Sequence, residues 1–432
     1  MTSEVRRSTA PSVANLQVLY FIDSLSVGGA EISLVAFAQE YRALGVELHV
    51  AYLRPHAPLA KALEAAGAIL HPIAGPQRRI SWIRKARRLI SELEPDVIHT
   101  SLFEADVVGR AAAILIDTPL VSSFVTDSYG PEHLSNPEYR RWKVRGAQLA
   151  DLLLARRVDH FHAVSDNAAA LMSRRLLIDR DSIDVVPRGR DPGLLGEPSL
   201  ERRLATREGI GLAPDVPLIV AAARHYHVKG LDTLVSALPA ILTKYPDAML
   251  FIAGREGPAT ETLQSLVDSM GIESNVVFAG YRSDVPDLFA AADVFVLPSR
   301  AEGCPGTLIE AMAVRVPIVA ADIPSVREVA GSPPVVILVP LDDHRALADS
   351  VLRLLDDEEL RSQLTADAHR RFMDHFTVDQ MGRRMMGVYS KALGSRRGAA
   401  HRAAQLRFDA AGALGIRAPS EAPAEDVSDS GG

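Results

Sequence analysis

The stretch DVFVLPSRAEGCPGTLIEAMAVRVPIVAAD, Asp293 to Asp322, decides the fold. DVFVLPS is an apolar run of strand length. A loop with Gly303, Pro305 and Gly306 follows, a helix begins near Thr307, and VPIVAAD reads as a second strand. Continuous apolar runs of this length suit strands buried on both faces of a parallel sheet. Ligands of open α/β sheets bind outside the carboxyl ends of strands, where this loop lies. The free N–H groups that open the helix, and the positive end of its dipole, suit a diphosphate. Glu302 and Glu310, with seven residues between them, flank that anion site. A diphosphate repels a carboxylate, so each accepts hydrogen bonds from neutral hydroxyls, those of a sugar or a ribose.

Working outward, the same unit repeats. VPLIVAAA (216–223), AMLFIAG (248–254) and NVVFAG (275–280) precede the decisive stretch as strands separated by helical patterns. Further upstream, LQVLYFI (16–22), ELHVAYL (47–53), DVIHTS (96–101), PLVSSFV (119–125) and HFHAVS (160–165) form a first series. Strands alternating with helices imply βαβ units and doubly wound parallel sheets. The fold class is α/β, with two Rossmann-like domains. VVPRGRDPGLLGEPS (185–199) is punctuated by Pro and Gly as a linker is. The expected organisation is a disordered leader over 1–15, a first domain over 16–190 and a linker over 191–215. A second domain follows over 216–376, then a terminal helix over 377–394 and a disordered tail over 395–432. Clefts between domains are preferred ligand sites.

Composition narrows the function. With 432 residues and 47% hydrophobic content the chain fills more than one core. A net charge of -7 argues against a nucleic-acid partner. The single cysteine, Cys304, fits a reducing cytoplasm. The first residues lack the apolar core of a signal peptide, and no run approaches the roughly 20 apolar residues that cross a bilayer. The expected location is cytoplasmic, or peripheral on the inner face of a membrane. QRRISWIRKARRLISELEPD (77–96) carries its basic residues around Trp82 and Ile83. The 77–90 segment reads as an anionic-membrane contact or as the solvated outer face of a Rossmann helix.

Two more stretches carry chemistry. AARHYHVKGLDTLVSAL, from Ala222, places Arg224, then four residues, then Lys229 and Gly230 between a strand and a helix. Arg offers a planar fork and Lys a point charge to phosphate oxygens. His225 and His227 read as polar surface. SLSVGGAEISLVAFA (24–38) puts Gly28 and Gly29 between the first strand and its helix, either to let backbone approach a ligand or as a plain tight turn. The three-glycine dinucleotide fingerprint is absent, so NAD binding is not supported.

AEGCPGTLIEAMA, with the Arg-x4-Lys-Gly element ahead of it, resembles the retaining GT-B glycosyltransferases called family 4, or glycosyl transferases group 1. AGREGP (253–258), FAGYRSDVPDLFAAADVFVLPS (278–299) and VVPRGRDP resemble the same family. The family reads the last as apolar-Pro-Asn-Gly-apolar-Asp, and Arg188 stands in place of the Asn. The resemblance implies two Rossmann-like domains facing across a cleft, with the C-terminal helix packing back on the first. It implies transfer of a sugar, with retention, from a UDP- or GDP-sugar to a glycan, lipid-linked or small-molecule acceptor, as in cell-envelope glycan synthesis. It implies no required cofactor or metal, and no Asp-x-Asp stands at a strand end.

The resemblance also assigns roles. Arg224, Lys229 and Glu302 would be catalytic. Gly28, Gly29, Gly254, Tyr281, Arg282, Gly303, Thr307, Leu308 and Glu310 would hold the donor. His99 would meet the acceptor, or be a satisfied core histidine. Two departures stand out. Val125 or Thr126 occupies the place of a first-domain histidine common in the family, leaving Asp127 as a substitute on the acceptor side. Cys304 replaces an apolar residue. Rival readings are a nucleotide-sugar epimerase or phosphorolytic enzyme on the same fold, or a catalytically silent sugar-nucleotide-binding protein.

Overall fold

A computed structural model describes residues 16–73, 79–127, 129–130 and 141–395. The expected leader, the tail beyond residue 395 and the start of the basic segment, 77–78, lie outside the described residues.

Among the described residues there are two sheets, both wholly parallel. The first holds β1 (Gln17–Ile22), β2 (Glu47–Tyr52), β3 (Ile69–Pro72), β4 (Val97–Ser101), β5 (Leu120–Phe124), β6 (His160–Ala163) and β7 (Ile183–Val185), in the order β3-β2-β1-β4-β5-β6-β7. The second holds β8 (Leu218–Ala222), β9 (Met249–Ala253), β10 (Val276–Gly280), β11 (Val294–Leu297), β12 (Ile318–Ala321) and β13 (Ile337–Val339), in the order β10-β9-β8-β11-β12-β13. Successive side chains of a strand point to opposite faces, and here both faces are covered. Val18, Tyr20 and Ile22 of β1 enter one core while Leu19 and Phe21 enter another. Leu218 and Val220 of β8 split from Ile219 and Ala221 in the same way.

The strand order reverses between β1 and β4 in one sheet and between β8 and β11 in the other. The loops after β1, β8 and β11 therefore open at switch points, where neighbouring crossovers diverge and leave a crevice. Gly28, Arg224, Lys229 and Glu302 all lie on these loops.

Residues 191–215, expected as a linker, are not free chain. Helix Leu200–Gly209 lies against helix Val285–Ala291 of the second domain. Arg202 pairs with Asp287 at 2.7 Å, Arg203 with Asp293 at 2.6 Å and Arg207 with Asp293 at 2.7 Å. Arg202, Arg203 and Arg207, meeting Asp287 of that helix and Asp293 at the start of β11, account for the docking.

The last helix, Val378–Gly394, returns to the first domain and packs against helix Gly29–Ala43, β4, β5 and β6. Where the chain crosses into the second domain and where it crosses back, the two passages pair. Arg190 N–H donates to Phe376 O at 2.8 Å, and Val378 N–H to Arg190 O at 2.9 Å. A Cβ on Gly189 would lie 2.8 Å from Thr377 O, so the two strands of the crossing touch only because that residue is glycine.

The helix Arg79–Leu93 buries Ala86 and Ile90 and packs Trp82 and Ile83 against the first domain's core. Arg84, Lys85, Arg87 and Arg88 face outward. Its apolar stripe is turned inward, which is the geometry of an outer Rossmann helix. No helix among the described residues is long and apolar enough to cross a membrane.

Candidate active site

The second domain supplies a cradle built on β8 and β11. After β8 the chain makes a short 3-10 turn, His227–Lys229, and enters helix Leu231–Lys244 through Gly230. Gly230 has φ +61°, and a Cβ there would sit 2.1 Å from Pro298 O. Only glycine brings the β8 loop this close to the β11 loop. Lys229 Nζ consequently reaches Glu302 Oε1 at 2.6 Å. Arg224 stands at the same strand end, its guanidinium 5.1 Å from the centre of the Tyr226 ring.

Glu302 is followed by helix Gly306–Ala313, which offers its first turn of backbone N–H groups to the cleft. Thr307 and Leu308 form that first turn, Leu308 buried beneath it. Glu310, one turn on, accepts from Arg190 Nε at 2.6 Å. A Cβ on Gly306 would lie 2.3 Å from Arg190 Nη2, so this guanidinium lies against the helix start. Gly254, at the end of β9, is backed so closely by the β8 loop that a Cβ would meet Ala223 O at 1.8 Å. Tyr281 is exposed and stacks under Arg255, and Arg282 donates to Asp284 at 2.8 Å. These two lie on the loop after β10, beside the cradle rather than in it.

The first domain closes over this cradle. A Cβ on Gly303 would sit 2.0 Å from Val125 O and 3.5 Å from the Val164 side chain. The position that lacks the family's histidine therefore faces the Glu302 loop directly. Glu31, in the first turn after Gly28 and Gly29, is buried, and burial raises its pKa, with Arg188 and Arg224 lowering it in opposition. Away from the cleft the domains are clasped by Glu328, whose two oxygens each accept at 2.7 Å from the backbone N–H groups of Asp166 and Asn167. That carboxylate caps the helix Asp166–Leu176 from the other domain, where the helix dipole favours negative charge.

Both acceptor-side residues have partners of their own, and His99 takes the second of its two expected roles, a satisfied core histidine. His99 is buried and belongs to a hydrogen-bonded chain running Tyr41, Tyr389, His99, Ser123, His162 and Val186 O, with steps of 2.8, 2.7, 2.6, 2.7 and 2.9 Å. The terminal carbonyl can only accept, which fixes every donor behind it. His162 holds its proton on Nε2, Ser123 donates to Nδ1 of His162, and His99 donates from Nε2 and accepts at Nδ1 from Tyr389. Burial pushes His162 down to about 4 and His99 well below its ordinary range, so both rings are neutral. Asp127 is held by Arg175 at 2.6 Å, which turns its carboxylate toward helix Asp166–Leu176. His225 is buried, not surface. Its Nδ1 bonds Thr260 Oγ1 at 3.0 Å, and burial lowers its pKa. Among the described residues no cluster of three or more His, Cys, Asp or Glu side chains is placed to hold a metal ion.

Comparison with known proteins agrees with this geometry. Residues 27–194 match Glycosyltransferase Family 4, and residues 203–371 match Glycosyl transferases group 1. A D-inositol 3-phosphate glycosyltransferase of Xylanimonas cellulosilytica is 30% identical over 308 residues, 69% of this chain and 72% of that protein. The chain belongs to glycosyltransferase family 4. A lipopolysaccharide core biosynthesis mannosyltransferase of Rhizobium meliloti is 32% identical over 193 residues, 43% of this chain, and the match spans 55% of that protein, about half its length. Among solved structures, Anabaena HepE in complex with UDP and glucose has a TM-score of 0.76 at 22% identity, covering 87% of this chain and 99% of that one. That likeness is one of fold, and it places this family 4 chain among GT-B structures.

Two residues of this family 4 cleft, Glu31 and Arg190, escaped the sequence reading, and Arg188 was read only as a departure from the family's pattern. For the arginines a signal existed. VVPRGRDP departs from the family's apolar-Pro-Asn-Gly-apolar-Asp at two places, and both arginines turn into the cleft. Glu31 had none, because a glutamate in the first turn of a helix is ordinary.

Proposed function

We propose that the protein transfers a hexosyl group from a nucleoside diphosphate sugar, UDP- or GDP-linked, to an acceptor hydroxyl with retention of configuration. The observation that carries this reading is the Lys229–Glu302 contact at 2.6 Å, made beside a helix start and against Val125 of the facing domain. A cation and a carboxylate at one point match the two halves of such a donor. The leaving diphosphate takes Lys229 and Arg224, and a sugar hydroxyl takes Glu302. Charge grows on the diphosphate as the glycosidic bond breaks, so preorganised cations there lower the barrier. Glu310 accepts from the ribose hydroxyls, and the first turn at Thr307 and Leu308 donates to phosphate oxygens. Gly28 and Gly29 bring first-domain backbone toward the same phosphates, and Tyr281 and Arg282 border the base.

The relatives named above, a mannosyltransferase of the lipopolysaccharide core and an inositol-phosphate glycosyltransferase, fit this reading. The acceptor enters from the first domain. Neither Val125 nor Thr126 takes a proton at neutral pH, so the departing phosphate oxygen, on the face where the acceptor arrives, takes it.

A thermal-shift screen of UDP-, GDP- and ADP-sugars tests the reading, since a ligand of the folded state raises its stability. Stabilisation by one of them, and sugar transfer to a hydroxyl acceptor that falls roughly a hundredfold in Lys229→Ala, about 3 kcal/mol of lost transition-state stabilisation, is expected. Unchanged turnover in that variant removes Lys229 from the mechanism. An epimerised sugar formed from donor alone would replace transfer as the activity.

A further inference from the structure

In VVPRGRDP the second departure from apolar-Pro-Asn-Gly-apolar-Asp is Arg190, which stands where the pattern has an apolar residue. The arginine is 7% exposed, and its backbone is held on both sides by Phe376 O and the N–H of Val378. Its guanidinium is fixed as firmly. Nη1 donates to Gly189 O at 3.0 Å, and Nε donates to Glu310 Oε1 at 2.6 Å. Nη2 lies 2.3 Å from the place of a Cβ on Gly306, so a glycine at the start of helix Gly306–Ala313 makes room for the group. Among the described residues no donor reaches Oε2 of Glu310.

A carboxylate at this place needs such a partner. Glu310 stands one turn into the helix whose first turn is proposed to take the diphosphate, and like charges repel most where burial keeps water away. Paired with Arg190, the carboxylate adds no net charge beside the phosphates. The pairing also sets its direction. With Oε1 taken by Nε, the carboxylate no longer turns freely, and Oε2 is the oxygen left to accept a hydroxyl. A guanidinium anchored to its own backbone, on a segment hydrogen-bonded to the returning chain, holds that geometry from outside the helix.

We propose that Arg190 is a positioning residue for the donor: it cancels the charge of Glu310 beside the diphosphate and turns one carboxylate oxygen to the ribose hydroxyls. The proposal rests on the transfer reading, in which Glu310 takes the ribose. It goes further in making ribose selection the work of two residues 120 positions apart, one on the crossing between domains and one on the donor helix. Arg190 then acts only through Glu310. With the carboxylate gone, the arginine has nothing left to position.

The test uses the full chain and calorimetric titration with UDP, GDP and ADP, and with the 2′,3′-dideoxy form of whichever binds. The native chain should prefer the ribose form by about tenfold or more, and Glu310→Gln should remove most of that preference. Arg190→Met keeps an apolar stem and removes the charge. It should weaken nucleoside diphosphate binding by about tenfold or more, as loss of one partner of a desolvated ion pair does, and cut the ribose preference to less than about threefold. In a Glu310→Gln background the same change should alter affinity by less than about threefold. Arg190→Lys keeps the charge without the planar fork and should recover part of the affinity. Unchanged or tighter binding by Arg190→Met overturns the proposal. An equal loss in both backgrounds assigns Arg190 to the phosphates or to the fold, and also overturns it. So does a ribose preference that survives Arg190→Met. A preference lost in Glu310→Gln but indifferent to Arg190 refutes this inference and leaves the transfer reading standing, whereas failure of the native chain to bind any of the three nucleotides refutes the reading itself.

Discussion

Glu302 and Glu310 are eight positions apart in the chain and hold different partners, Lys229 for one and Arg190 for the other. The difference predicts different kinetics. A ribose contact exists before and during reaction, so Glu310→Gln should mainly weaken nucleotide binding. If Glu302 takes the transferred sugar, as proposed, Glu302→Gln should lower kcat more than nucleotide affinity. Direct nucleotide titration alongside turnover checks this, and equal losses of affinity would contradict it. Asp127 follows the place of the missing histidine in the chain, yet Arg175 already holds it. Asp127→Asn should reduce turnover by less than about tenfold, below the usual yield of general-base catalysis, whereas a loss of several thousandfold with folding intact would make it the base. At this scale the sequence showed the residues whose type and spacing are chemically narrow: Arg224, Lys229, Glu302 and Glu310. It left His99 open between acceptor and core, because a histidine in a buried strand looks the same whether it faces a cleft or a core. Only the three-dimensional neighbours, Tyr389 from 290 residues away and Ser123, decide between the two.

At the scale of elements, the central strands and the edge strand β10 were legible and the other three edges were not. β1, β4, β8 and β11 are flanked on both sides and buried on both faces, so their apolar runs are continuous. β3, β7 and β13 are edge strands of three or four residues, half-buried and carrying His71, Asp184 or flanking turns, and nothing in their composition separates them from loop. The terminal helix Val378–Gly394 was expected to return to the first domain, but its chemical tie was not visible. Tyr389 is that tie. Tyr389→Phe leaves Nδ1 of His99 and the hydroxyl of Tyr41 buried without partners, and should destabilise the protein by about 2 kcal/mol in chemical unfolding. The same chain predicts acid sensitivity. Burial holds His162 at about 4 in the fold against an ordinary 6.5. Between those values the unfolded chain binds a proton that the folded one does not, so stability falls as pH drops from about 6.5 toward 4. His162→Asn should flatten that slope, and an unchanged slope would show that other groups produce it.

The molecule as a whole has its proposed donor residues on one side of the crossing at Arg190 and Thr377, apart from Gly28 and Gly29. A fragment of residues 191–376 keeps helix Leu200–Gly209 with the Asp293 it needs. It should bind the preferred nucleoside diphosphate if it folds, at lower affinity because Arg190 and the glycine loop are gone. Binding found instead in the remainder of the chain would overturn the placement of the donor site. The paired crossing has one more consequence. Because residues 190 and 377 lie side by side, the second domain enters and leaves through a single seam. In genetic terms it is one uninterrupted block of coding sequence, a cassette with both ends at the same doorway. Such a cassette can be lifted out and another put in its place while Tyr41, Tyr389 and His99 stay joined. A new donor preference could thus be grafted onto an old acceptor site by one exchange, provided the incoming piece brings a carboxylate to meet Asp166 and a glycine to meet Val125.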